Sequence, residues 1–239
     1  MRVVVLGCGT AVGKTRVSSA LLRALVGRDL PALGLKPIES GIQRDPSALG
    51  DPPAGSDAAT LSAAGSVRTQ LAHPLYALRD PISPHLAARA EGIVIDLLRI
   101  KHWVADSAPV PSYILSPSAL SVVIETAGGV FSPLAPGVTN FELAMALEPA
   151  QWVLVAADAL GVLHDVTATL KAMRAAGREP DHLVLSGARE PDASTGRNAA
   201  ELATLGIAQV TAVLARNDDR GVSALVDRLL LSEHARESR

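Results

Sequence analysis

The residues with the clearest chemistry form one uninterrupted run, Gly7-Cys8-Gly9-Thr10-Ala11-Val12-Gly13-Lys14-Thr15. The apolar, β-branched stretch Val3–Leu6 precedes it, and Val17, Ala20, Leu21, Ala24 and Leu25 recur after it at helical spacing. A glycine-rich turn from a strand into a helix is the setting of a phosphate-binding loop. Glycines let the backbone turn tightly and bring N–H groups close to phosphate oxygens. The helix N-terminus adds unpaired donors and a favourable dipole. Lys14 would neutralise charge on terminal phosphates, and Thr15 would offer its hydroxyl to Mg2+. The strict spacing is not met, because Cys8 stands where that pattern places its first glycine and Gly7 lies one residue earlier. The loop is a lengthened one.

Other candidate residues carry weaker signals. Lys36 ends the apolar run Ala32–Leu35 and is followed by proline, which by itself suits a loop start. Asp57, ahead of Ala58-Ala59-Thr60-Leu61, reads by itself as a helix N-cap. Glu125 follows the buried-type strand Val122–Ile124, at the carboxyl edge where α/β proteins bind ligands. His85 and His164 lack metal-ligand companions at useful spacing and read as structural or rim residues. Cys8 reads as a small residue in a tight turn, and Trp103 and Trp152 as packing.

These residues need a frame. Further strands are expected at Trp152–Ala156, Leu183–Leu185 and Val210–Leu214, and helices at Leu160–Ala176, Asn198–Leu205 and Val222–Leu231. Continuous apolar strands alternating with helices predict an α/β fold: a mostly parallel sheet with helices on both faces, of the P-loop NTPase type. Gln43–Ser56 and Asp106–Ser118 each hold three prolines and read as loops. Neither has the length or polarity of an interdomain linker, so residues 1–239 are expected to form a single domain. At 48% hydrophobic and 19% charged, the chain of 239 residues suits a folded core rather than disorder. A net charge of −2, with no long basic run, does not suggest a nucleic-acid partner. No uncharged apolar run is long enough to span a membrane, and the apolar start is too short for a signal-peptide core. One cysteine allows no intrachain disulfide. The expected location is the cytoplasm.

With those residues in hand, the chain resembles the dethiobiotin synthetase family. Thr10, Val12, Gly13, Lys14 and Thr15 match that family's loop, including its lengthened interval. Lys36-Pro37-Ile38-Glu39-Ser40-Gly41, Ser56-Asp57-Ala58, Pro81-Ile82-Ser83-Pro84-His85 and Glu125-Thr126-Ala127-Gly128-Gly129 follow in the family's order, with Thr126 in place of a glycine. Leu160-Gly161 followed by Leu163-His164 resembles a further stretch, without its asparagine.

The resemblance implies an ATP-dependent cyclo-ligase. It would close the ureido ring of dethiobiotin from 7,8-diaminononanoate, CO2 and ATP, through a carbamate and a carbamic-phosphoric anhydride. It implies Lys14, Lys36 and Thr10 as catalytic residues, with Ser40, Thr10 and Lys36 on the substrate. Ala11, Val12, Gly13, Lys14, Thr15 and Arg16 would wrap the nucleotide, with Asp57, Glu125, Thr126, Ala127, Gly128, Ser186 and Gly187 completing its site. Thr15, Asp57 and Glu125 would hold Mg2+. Ser186-Gly187 stands where the family usually places an asparagine against the adenine, so the resemblance implies loose base selection. It also implies a homodimer, with Leu160–His164 at the shared face. The alternative is a nucleotide-binding switch or regulatory ATPase domain of the same P-loop class. Partitioning-type ATPases usually carry an extra lysine early in the loop, where this chain has Cys8 and Gly9. Amide-forming synthetases of cobalamin biosynthesis usually carry a glutaminase domain with its own cysteine.

Overall fold

A computed structural model of the chain describes residues 1–42, 52–108, 120–148 and 150–237. The elements run β1 (Arg2–Gly7), α1 (Lys14–Val26), β2 (Ala32–Leu35), β3 (Ile38–Ser40), α2 (Asp57–Ala64), β4 (Tyr76–Leu78), α3 (Pro84–Ala90), α4 (Leu97–Ser107) and β5 (Ser121–Glu125). They continue with β6 (Pro133–Ala135), β7 (Val138–Thr139), α5 (Asn140–Ala146), β8 (Gln151–Asp158), α6 (Val162–Ala175), β9 (His182–Gly187), α7 (Asn198–Thr204), β10 (Ala212–Leu214) and α8 (Val222–Glu237).

The central sheet has six strands in the order β10-β9-β8-β1-β5-β2, and every pairing is parallel. The parallel sheet read from the apolar runs is therefore present, and the period of two explains its two cores. Val3, Val5, Val123, Val153, Val155 and Val184 point to one face, under Val17, Leu21 and Leu25 of α1 and Leu225, Val226 and Leu229 of α8. Val4, Leu6, Ile124, Trp152, Leu154 and Leu185 point to the other, under α3 to α7. Strands buried on both faces have no polar side to show, hence their continuous apolar sequence.

The chain passes from β1 to β2 on one side of the sheet, fills the gap with β5, and then crosses β1 to build β8, β9 and β10. The reversal leaves a crevice outside the carboxyl ends of β1 and β5, the usual ligand position in such sheets. Register completes the placement. Val5 pairs with Glu125 and Leu35 with Ile124, so Lys36 emerges beside Glu125.

Several expected boundaries change. The strand expected from Val210 begins only at Ala212, because the edge strand β10 pairs with β9 through three residues. α8 runs past Leu231 to Glu237. Residues 43–51 and 109–118 of the two expected loops lie outside the described residues, while Asp106 and Ser107 belong to α4. The short elements β3, β4, β6, β7, α3 and α5 carried too few periodic residues to be read, whereas α4 was missed although Ile100, Trp103 and Val104 recur at helical spacing. Trp103 and Trp152 are buried packing residues, and Trp152 meets Phe141 edge to face at 5.4 Å.

Candidate functional site

The phosphate loop closes the carboxyl end of β1. Gly13 enters α1 with φ 93°, a left-handed conformation that glycine adopts freely. Ala11 is also left-handed, at φ 57°. A side chain at Gly7 would strike the Gly9 carbonyl and the stem of Lys14. The tight turn thus lets Lys14 fold back, where its Nζ donates to the Gly9 carbonyl at 3.1 Å. Val12 packs into the core beneath α1 and leaves its backbone to the loop. Thr10 and Ala11 are exposed on the rim.

Behind the loop lies a buried charge cluster. Lys36 is 4% exposed, and its Nζ donates to Asp57 Oδ2 at 2.9 Å and to Glu125 Oε1 at 2.5 Å. Thr15 donates to the same Glu125 oxygen at 2.9 Å. The other oxygen, Glu125 Oε2, is buried and accepts no hydrogen bond among the described residues. Burial alone would discharge Lys36, but the Glu125 and Asp57 carboxylates outweigh it and hold the ammonium well above the ordinary lysine range. Lys14 goes the other way. Burial first, and then the Lys36 charge, bring it down to about 8, against the pull of Glu125 and Asp57. Asp57 resists its own burial, and the charge and hydrogen bond of Lys36 hold it below the usual carboxylate range.

The structure corrects the isolated reading of Asp57 as a helix cap. Ser56 is the N-cap of α2, its hydroxyl accepting from Ala59 N at 3.0 Å, while Asp57 opens the helix and turns its carboxylate to Lys36.

A cleft of about 800 Å3 runs over this cluster, lined by Thr10, Ala11, Gly13, Lys14, Thr15, Lys36, Ser40, Asp57, Glu125, Ala127 and Gly128. The Ser40 hydroxyl has no hydrogen-bond partner among the described residues. Pro81–Pro84 close one wall, and His85 stays at the rim, its Nδ1 at 3.0 Å from Ser83 Oγ. His164 is exposed.

Four expected nucleotide residues sit less directly. Thr126 faces the sheet: its hydroxyl and its N–H both donate to the Val5 carbonyl at 3.1 Å. Arg16 is spent on the loop after β10, donating to the carbonyls of Leu214, Ala215 and Asp218 and pairing with Asp219 at 2.8 Å. Ser186 packs directly on Gly13, and Gly187 lies against the Arg216 backbone.

Three residues around the site escaped the sequence reading. Glu39, inside the Lys36–Gly41 motif, binds the start of α2. Asn140 braces the turn after β5, its Nδ2 donating to Ala127 O at 2.6 Å and to Gly129 O at 2.8 Å. Its only sequence signal is the capping-box pattern Thr139-x-x-Glu142, which marks α5. Arg189 reaches the cleft from the loop after β9, with no signal in the sequence.

A family profile described as an AAA domain matches residues 1–222. A protein of Anaeromyxobacter dehalogenans (strain 2CP-C) named ATP-dependent dethiobiotin synthetase BioD is 36% identical over 203 residues, covering 84% of this chain and 83% of the relative. A protein of the same name from Caulobacter sp. (strain K31) is 40% identical over 177 residues, covering 72% of this chain and 70% of the relative. Among solved structures, MinC:MinD of Aquifex aeolicus is similar at TM-score 0.52 and 12% identity, over 98% of this chain and 96% of that one. A ParA family ATPase of Chlorobium tepidum TLS is similar at 0.51 and 13%, over 98% and 92%. The latter two identify a P-loop NTPase fold. Sequence identity over most of both chains goes further: this chain belongs to the ATP-dependent dethiobiotin synthetase family.

Proposed function

We propose that this chain forms dethiobiotin from 7,8-diaminononanoate, CO2 and ATP, as one domain acting on small molecules in the cytoplasm. One observation carries the reading: two lysines, Lys14 and Lys36, meet at the carboxyl edge of β1 and β5 under a phosphate loop.

One substrate amine adds to CO2 and loses a proton, giving a carbamate. A carbamate oxygen attacks the γ-phosphorus and ADP leaves. The second amine attacks the carbonyl carbon of the mixed anhydride, and phosphate leaves as the ring closes. The protein positions anions and offsets their charge. The loop N–H groups and Lys14 take the triphosphate. Lys36, kept protonated by its carboxylates, holds the carbamate oxygen as a charge and not as a base. The free hydroxyl of Ser40 and the rim hydroxyl of Thr10 orient the amine end.

Thr15, Asp57 and Glu125 fit Mg2+: the set is all oxygen, and Glu125 Oε2 is buried with no hydrogen-bond donor among the described residues. When bound, Mg2+ would neutralise phosphate charge.

Arg16 would act on the nucleotide through the loop it grips. Ser186, which lies against Gly13 with its buried hydroxyl unpartnered among the described residues, offers the base no side-chain amide, which supports loose base selection. A homodimer through Leu160–His164 is supported by Leu160, 85% exposed, and by the start of α6 at Gly161, which no side chain caps among the described residues, a setting that suits a substrate carboxylate.

The test is phosphate release with and without diamine and bicarbonate. Release should depend on both, and CTP and GTP should serve within about a hundredfold of ATP, roughly 2.7 kcal/mol. Lys14→Ala should slow it by about 10²–10³. Diamine-independent hydrolysis would indicate a switch ATPase instead.

A further inference from the structure

Glu39 has no part in the chemistry above, yet it is 7% exposed in the cleft wall. It stands on β3, just after Lys36. Its two oxygens accept from the first two N–H groups of α2, Asp57 N to Oε1 at 2.7 Å and Ala58 N to Oε2 at 3.0 Å. Ser56 Oγ takes the next, Ala59 N. The opening turn of a helix leaves its N–H groups without partners, and here side chains satisfy three of them in succession. Both of these partners donate, so each Glu39 oxygen serves as an acceptor. A carboxylate taking two N–H groups side by side also fixes orientation, which a single acceptor does not. One segment therefore holds Asp57 twice: Lys36 on its carboxylate and Glu39 on its amide.

We infer that Glu39 is a positioning residue: by clamping the start of α2 it aims the Asp57 carboxylate into the cluster of Lys36 and Glu125 and so sets the affinity for the nucleotide-bound divalent cation. The inference rests on the proposed role of Asp57 as a metal ligand. Groups that orient a metal ligand without touching the metal typically change metal affinity by about 10–100-fold when removed.

The experiment uses the full chain with Mn2+ and a non-hydrolysable ATP analogue, without diamine, and reads bound Mn2+ by electron paramagnetic resonance. Asp57→Asn and Glu39→Ala should each weaken Mn2+ binding by at least about tenfold. The double variant should be no weaker than Asp57→Asn alone, because Glu39 acts through Asp57. In turnover, Glu39→Ala should need more Mg2+ but regain its kcat when Mg2+ saturates. Should Glu39→Ala not fold, Glu39→Gln, which keeps the shape and one acceptor, should show a smaller loss in the same titration. Native Mn2+ binding in a folded Glu39 variant, or losses that multiply in the double variant, would overturn the clamp. Native binding in Asp57→Asn would have a different meaning: it would remove Asp57 from the metal set, and the clamp's purpose with it.

Discussion

At the scale of single residues, the site separates groups that carry charge from groups that only fill space. Lys36 stays charged because two carboxylates surround it; Lys14, brought down by burial first and then by the Lys36 charge, would be recharged by an incoming triphosphate. Thr126, which replaces a family glycine, adds no bulk to the cleft, because its hydroxyl is turned onto the Val5 carbonyl. Cys8 lies in the loop, half-buried, with a free thiol. Burial raises its thiol to about 11, only partly offset by a hydrogen bond with Thr169. About one thiol in a thousand is then ionised at pH 8. Iodoacetamide at pH 8 should therefore label the folded protein at least about tenfold more slowly than a free cysteine, with the rate climbing until near pH 11. The thiol's folded pKa exceeds its unfolded value of 9.0, so its contribution to stability is present below pH 9 and lost as pH rises through about 11. Rapid labelling at pH 8 would contradict this burial.

At the scale of elements, short helices hold turns against the sheet. Asn140, the first residue of α5, is fully buried and donates to two carbonyls of the turn that carries Ala127, Gly128 and Gly129. Gly128 has φ 83°, and a side chain there would strike Ser132. The hydroxyl of Ser132 accepts from Gly129 N at 2.9 Å. The turn is thus stitched from both ends before any ligand arrives. Asn140→Ala would strand the buried Ala127 carbonyl, at about 1–3 kcal/mol, while Gly129 O keeps the Ser132 N–H. We expect a loss of about 2 kcal/mol, read as a lower urea midpoint at an unchanged slope. A midpoint within error of the natural protein would mean that the turn holds itself.

At the scale of the whole molecule, the parallel sheet brings Lys14, Lys36 and Glu125 together at one edge. Among the described residues, no helix is long and apolar enough to cross a membrane. Leu160 projects at the end of β8, its N–H bound to Asp192 Oδ2 at 2.7 Å, so the backbone that presents it is fixed. If the proposed dimer closes there, Leu160→Asp places a charge in an apolar contact. Light scattering should then give the monomer mass, and turnover should fall at the same protein concentration. A dimer mass in that variant would move the interface elsewhere.

Local sequence alone determined the phosphate loop, the central strands and α1. Each depends on neighbours in the chain: apolar runs, helical spacing, and glycines that must turn before Lys14. The carboxylates were legible through resemblance, since Asp57 by itself looked like a cap. Tertiary structure decided what each side chain faces. Strand register sets Lys36 beside Glu125, a pairing between residues far apart in the chain that no local pattern encodes. The same pairing of distant segments turns Thr126 into the sheet, commits Arg16 to the loop after β10, and gives Glu39 the amides of α2. A side chain's direction depends on which strand lies next to it, and strand order exists only once the chain has crossed the sheet.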